Sequence, residues 1–230
     1  MKILALDTAT PSLSVAVADG QVVLAEITLS SGETHSKHLM PVIKQVLGLS
    51  GLAVADLDGF AVTCGPGSFT GLRIGISTIK GLATAAAKPL AGVSSLDAMA
   101  VQAGESSFLI CPLLDARRKE VYFARYRIEG GVLKRQTADQ VGSVEAAIPE
   151  AGMDCLFIGN GAGPYKTVLK KIMGPRAHFE PGFQNIIRAS AVAHLGREKI
   201  ERNQADPVET FEPIYLRKSD AEIKSPSLPR

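Results

Sequence analysis

The chain has no tryptophan, and aromatic residues fill only 5% of its 230 positions. An array of stacking platforms for single-stranded nucleic acid is therefore excluded. Cysteine is scarce as well: Cys64, Cys111 and Cys155 are an odd number with no ligand spacing, each among apolar, strand-like residues. They read as buried thiols in a reducing compartment, so the expected location is the cytosol. An excess of one charge is also missing. The 25 basic and 23 acidic side chains leave +2, which argues against a chain that coats nucleic acid by itself. No run of about 18 apolar residues occurs, so no membrane span is predicted. The short apolar opening ends at Asp7 and reads as a buried strand rather than a signal peptide.

What is present is an ordinary globular pattern, 46% apolar and 21% charged. Its length suits one large domain or two small lobes and needs no disulfide or metal staple. Strands are predicted at 1–7, 13–18 and 22–29, with Asp19-Gly20 as a tight hairpin turn. Thr34 is a good N-cap for a helix in which Leu39, Val42, Ile43, Val46 and Leu47 repeat at helical spacing. Pro41 implies a start or a kink there. A strand at 60–64, the turn Gly65-Pro66-Gly67-Ser68, a long helix over 69–87, a strand at 90–93 and a helix over 95–103 follow.

The second half opens with a strand at 108–114 that ends in Asp115. An alternating strand at 120–128, the turn Gly130-Gly131, a return at 132–137 and a short helix capped by Ser143 come next. A strand at 155–158, a Gly-rich turn and helices over 165–173 and 189–202 complete it. Both halves read strand, strand, strand, helix, strand, Gly-rich turn, helix, with an aspartate closing the first strand. The prediction is a duplicated α/β unit, with a first lobe at 1–104, a second at 105–217 and a tail at 218–230.

Such a duplicated lobe resembles the actin, Hsp70 and sugar-kinase (ASKHA) superfamily. The resemblance implies two actin-like lobes across a cleft, each a mixed sheet with crossover helices. It also implies phosphates held by backbone N–H groups of tight turns, and paired aspartates around a metal's water shell. The candidates are Asp7 and Asp115, with Gly65 and Gly67 ahead of the long helix. The plainer alternatives are strand-end aspartates that bind their own turns and a rigid strand-to-helix turn. No Lys-Ser/Thr ending marks a P-loop. Ser68 is not in a Gly-x-Ser-x-Gly string, because position 70 is Thr. Active kinases of that superfamily are longer and carry a nucleotide-binding insertion, whereas the second half here is pared to its frame.

A sharper resemblance rests on four strings: Ile3-Leu4-Ala5-Leu6-Asp7-Thr8-Ala9, the run from Gly65 to Gly75, Asp115-Ala116-Arg117-Arg118-Lys119-Glu120-Val121-Tyr122, and Pro213-Ile214-Tyr215-Leu216-Arg217. They resemble the bacterial TsaB (YeaZ) family of tRNA threonylcarbamoyladenosine biosynthesis proteins. That family is a degenerate paralogue of TsaD, which transfers threonylcarbamoyl to N6 of adenosine 37 in tRNAs reading codons that begin with A. TsaD relatives carry a Gly-Val-Asn-His-Met-Glu-Gly-His string whose histidines hold a metal. The matching stretch here is Gly92-Val93-Ser94-Ser95-Leu96-Asp97-Ala98-Met99, with Ser95 and Met99 at the ligand positions. A hydroxyl and a thioether do not replace imidazoles. The resemblance therefore implies a scaffold without catalytic residues, metal or cofactor. Its implied partners are TsaD, the ATPase TsaE in a larger assembly, or a second copy, with tRNA met only through the complex.

The long helix contains Gly71, Gly75 and Gly81, each costing about 1 kcal/mol relative to Ala. Close approach inside the lobe is one reason for them, and a docked partner helix is the other. The resemblance favours the partner, and the interface it implies comprises Leu39, Ile43, Thr70, Gly71, Gly75, Thr78 and Ile79. His35 and His38 lie three apart with no third ligand in reach. Residues 1–104 carry net −1 and the remainder net +3. The basic cluster Arg117, Arg118, Lys119, Arg125, Arg127, Lys134 and Arg135 offers either a weak phosphate contact or solvated strand faces. The competing reading is a small nucleotide-dependent acyl- or phosphoryl-transferase using the interlobe cleft. A homodimeric scaffold with no transferase role is a third.

Overall fold

The computed structural model describes residues 1–217. The expected tail at 218–230 lies outside the described residues. The first sheet takes β1 (Lys2–Asp7), β2 (Leu13–Asp19), β3 (Val22–Leu29), β4 (Gly59–Gly65) and β5 (Leu90–Ser94), in the order β3-β2-β1-β4-β5. β1 pairs antiparallel with β2 and parallel with β4. The connection at 8–12 turns β1 back into β2, the tight turn at Gly20 joins β2 to the antiparallel β3, and the helical crossover brings β4 in parallel to β1. β1 and β4 are buried almost throughout, as expected of central strands covered on both faces.

The second sheet repeats this plan. β6 (Leu109–Asp115), β7 (Glu120–Phe123), β10 (Gln140–Ser143), β11 (Cys155–Ile158) and β12 (Ala177–Phe179) lie in the order β10-β7-β6-β11-β12. β6 pairs antiparallel with β7 and parallel with β11, so the two sheets share order and strand directions. The repeat differs from the sequence expectation in one place. The predicted strand at 120–128 breaks after Phe123, because the Arg125 backbone bonds Thr137 Oγ1 and Gln136 instead of continuing the ladder. Beyond the break, β8 (Tyr126–Glu129) rejoins β6 through Tyr126 opposite Ile110 and forms a hairpin with β9 (Val132–Arg135), turning at Gly130-Gly131. The third strand of the second unit is therefore β10.

Helices α1 (His35–Ser50) and α2 (Phe69–Ala86) cover one face of the first sheet. Pro41 sits inside α1 on its exposed side. α2 is capped by Ser68, whose hydroxyl accepts the Gly71 N–H at 3.2 Å. α3 (Ser95–Val101) and α5 (Ala189–Glu201) lie between the sheets in a core that draws on both halves. α4 (Ala162–Met173) covers the outer face of the second sheet. α5 follows the second sheet in sequence, yet it packs against β1, β2, β4 and β5 of the first. Gly196 permits this, since a Cβ there would overlap Ala61 on β4. Glu26 of β3 ties the helix down, accepting the Ser190 N–H at 3.0 Å and pairing with Arg188 at 2.6 Å.

The candidate cleft and docking face

A cleft of about 460 Å3 opens between the halves. It is lined by Thr10, His35 and the α2 N-terminus from the first half, by Asp115, Arg117, Arg118 and Asn160 from the second, and by the C-terminal segment Ile214, Tyr215, Leu216 and Arg217. Asp7 and Asp115 end the two equivalent central strands, β1 and β6. Each binds the chain two residues on. The Ala9 N–H donates to Asp7 Oδ1 at 3.1 Å, and the Arg117 N–H donates to Asp115 Oδ1 at 2.8 Å.

The two carboxylates differ in access. Asp115 is exposed and lines the cleft. Asp7 is fully buried and does not line it. Thr63 Oγ1 donates to Asp7 Oδ1 at 2.7 Å, while Oδ2 has no partner among the described residues. Burial pushes the Asp7 carboxyl up from 3.8 to about 7, against the pull of hydrogen bonds from Thr63, Ala9 and Thr10.

Some backbone donors of both Gly-rich turns are engaged within the chain. In the first, Ser68 N–H bonds the Ala9 carbonyl at 2.7 Å and Gly71 N–H bonds the Ser68 hydroxyl. A Cβ at Gly67 would strike the Ala9 carbonyl, and one at Gly65 would strike the Ile214 carbonyl. In the second, Gly159 N–H bonds Asn185 Oδ1 at 2.8 Å and Gly161 N–H bonds the Leu113 carbonyl at 2.9 Å. Gly65 and Gly67 thus serve close approach between segments of the chain itself. That geometry suits a rigid turn better than a phosphate cradle.

Ser95 and Met99, at the positions compared with metal ligands, are both fully buried on α3. The two helix-start histidines part company: His35 Nε2 lies 2.9 Å from the Thr10 carbonyl, and His38 pairs with Glu33. All three cysteines are free and buried, and burial pushes the Cys64 thiol up to about 11.

The seven residues expected at a partner interface fall into two sets. Leu39, Ile43, Gly71, Gly75 and Ile79 face inward. A Cβ at Gly71 would collide with the Thr8 carbonyl, and one at Gly75 with Thr8 Oγ1 and Leu6. Close approach between α2 and β1 accounts for both glycines, so these five side chains belong to the chain's own core. Thr70 is exposed and Thr78 half-buried. The solvent side of this helix pair instead presents Met40 (51% exposed), Lys44 and Leu49 (66% exposed) from α1, with Arg73, Ser77 and Gly81 from α2. Gly81 has nothing within 4 Å of where a Cβ would stand. No contact among the described residues explains it.

A family model described as TsaD: tRNA N6-adenosine threonylcarbamoyltransferase matches residues 22–225. The tRNA threonylcarbamoyladenosine biosynthesis protein TsaB of Bacillus subtilis is 33% identical over 227 residues, covering 97% of each chain. The chain belongs to the TsaB family. The solved structure of YeaZ from Pseudomonas aeruginosa superposes with a TM-score of 0.79 at 28% identity, covering 94% of this chain and 99% of that one. The (R)-2-hydroxyglutaryl-CoA dehydratase component A of Acidaminococcus fermentans shares the fold alone, with a TM-score of 0.53 at 11% identity over 87% of this chain. The TsaB-family chain is thus built on the duplicated actin-like plan.

Two members of the basic cluster read from the sequence, Arg125 and Arg135, serve internal contacts in this TsaB-family chain. Arg125 donates to the carbonyls of Ala146 and Ile148, and Arg135 pairs with Asp97 and Asp139. Arg117, Arg118 and Lys119 sit on the exposed loop beside the cleft, all three at positive φ. Among the described residues, no helix is long and apolar enough to cross a membrane.

Proposed function

We propose that the chain is a non-catalytic subunit in tRNA threonylcarbamoyladenosine biosynthesis that binds TsaD. It supports transfer of threonylcarbamoyl to N6 of adenosine 37, and TsaE joins a larger assembly. The observation that carries this reading is the burial of Asp7. A carboxyl sealed away from the cleft, with Oδ1 engaged by Thr63 and Ala9, is poorly placed to hold a nucleotide's metal. The internal use of the turn amides supports the same conclusion. The transferase alternative, an acyl- or phosphoryl-transferase working in the interlobe cleft, finds only Asp115 placed for such a role.

The docking face is the solvent side of α1 and α2. An exposed helix-interior glycine with open space around it costs stability, and it admits the close approach of another helix. Met40 and Leu49 supply apolar anchors on the neighbouring helix. Activation follows from differential binding, so it is bounded by the preference of this surface for TsaD's active arrangement. A second copy using the same face gives a homodimer that competes with TsaD. The location that fits this role is the cytoplasm.

The test is titration of purified TsaD with the chain carrying Leu49→Arg or Gly81→Trp. Both variants are expected to stay folded and to lose affinity. Retained affinity in both would place docking elsewhere.

A further inference from the structure

We propose that residues 211–217 form a clasp linking the exposed face of α2 to the strained loop at 115–120 across the cleft. After α5 the chain returns to the first sheet, where the Asp206 N–H bonds the Leu90 carbonyl at 2.8 Å. Lys80 of α2 then holds the carbonyls of Glu209 and Phe211 at 3.1 and 2.9 Å. The Ile214 N–H bonds the Cys64 carbonyl at 2.7 Å. The Tyr215 ring stacks on Phe69 at 4.7 Å, and its hydroxyl accepts Arg73 Nε–H at 3.1 Å. The Arg73 guanidinium also lies 3.9 Å from the Phe69 ring centre. One end of the segment is therefore gripped by α2 side chains, one of them on its solvent face.

The other end is gripped by the second half. Arg217 Nη1 donates to Glu120 Oε2 at 2.8 Å. Glu120 closes the loop, its N–H bonding the Arg117 carbonyl at 2.9 Å and its carbonyl accepting the Ala116 N–H at 3.0 Å. Between these bonds Arg117, Arg118 and Lys119 hold φ values of 60°, 53° and 64°. Three consecutive non-glycine residues in the left-handed region are strained and persist only when their surroundings impose them. Only Leu216 separates Tyr215 from Arg217, and it packs against the central core. Two residues of chain reach at most about 7 Å, so little slack is available when Tyr215 moves. Ile214 and Tyr215 are exposed enough to detach, at 52% and 38%. Anything that takes Arg73 from Tyr215 thus loosens the loop across the cleft. That a docked partner does so rests on the docking reading of α2, whereas the link itself does not.

Hydrogen exchange on the full chain tests the link, with Arg73→Ala as the perturbation and peptides over 115–120 as the readout. Exchange there should rise about tenfold while α4 peptides keep their wild-type rates. Arg217→Ala should do the same, and the double variant should add little to either single one, as expected of groups acting through one element. If Arg73→Ala accelerates only α2 and the clasp, or if the two substitutions add independently, the proposal is overturned. If Arg73→Ala loosens α4 as well, Tyr215→Phe decides. A rise confined to 115–120 supports the clasp, and wild-type rates there refute it. Adding TsaD to the wild-type chain is a separate arm. No response at 115–120 alongside a positive Arg73→Ala result sinks the docking link and leaves the clasp standing.

Discussion

Replacing Gly81 by Ala isolates the cost of the open position on α2. Among the described residues nothing lies within 4 Å of the Cβ that would be added, and no positive φ marks the residue. The only folded-state change is helix propensity, worth about 0.8–1 kcal/mol in favour of Ala. For a chain of this size that is a rise in melting temperature of roughly 2–4 °C, readable by calorimetry. Gly75→Ala on the same helix is the contrast. Its Cβ would overlap Thr8 Oγ1 and press on Leu6, so overpacking should cost about 1–3 kcal/mol. The pair separates a glycine required by the fold from one that is not. Gly81→Trp then reads docking, and a tenfold loss of affinity for TsaD corresponds to about 1.4 kcal/mol. If Gly81→Ala destabilises the isolated chain, an internal contact is at work and the argument for an open docking face fails.

Asp7 and Glu26 should give opposite pH dependences. The Asp7 carboxyl is raised by burial from 3.8 to about 7, so its contribution is full below about pH 4 and is lost as pH rises towards 7. Asp7→Asn should remove that decline, gaining up to about 4 kcal/mol over the wild type between the two limits, as measured by denaturant unfolding at pH 4 and pH 8. Burial alone would raise Glu26, but the hydrogen bonds of Arg188 and Ser190 outweigh it and hold the carboxyl below 4.5. Its contribution is present above that value and fades as pH falls. Glu26→Ala should cost roughly 1.5–2 kcal/mol at neutral pH, because the Arg188 left behind is half exposed and rehydrates, with a smaller loss in acid; an equal loss at both would contradict the pairing. Restoring two histidines with Ser95→His and Met99→His should destabilise the chain, because both positions are fully buried. A thermal shift with added zinc would overturn that expectation.

Much of the fold is legible from period and punctuation. The central strands β1, β4 and β6 are apolar runs ended by Asp or Gly, and α2 is bracketed by Ser68 and by Ala87 in the left-handed region. The break at Arg125 was not legible, because alternation runs on through it and the competing bond comes from Thr137, twelve residues away. The face of α5 was legible, but its target sheet was not. Ala189, Val192, Ala193 and Gly196 mark a small-residue stripe without saying which sheet it meets. At the site, the sequence pointed to Asp115 and Gly67, which line one cleft, while Gly65 packs behind it against Ile214. It could not tell that Asp7 is sealed beneath Thr63 and Ala9. The inward turn of Gly71 and Gly75 was partly readable, since both neighbour Leu72, Ile76 and Ile79 on the buried stripe. The clasp left only the string Pro213-Ile214-Tyr215-Leu216-Arg217, with no local signal of its contacts.

The most direct measurement is formation of threonylcarbamoyl-adenosine on tRNA from activated donor. Purified TsaD is assayed with and without this chain, and the chain is assayed without TsaD. The account predicts stimulation of TsaD and no product from the chain alone. Modified tRNA made in the absence of TsaD would contradict it.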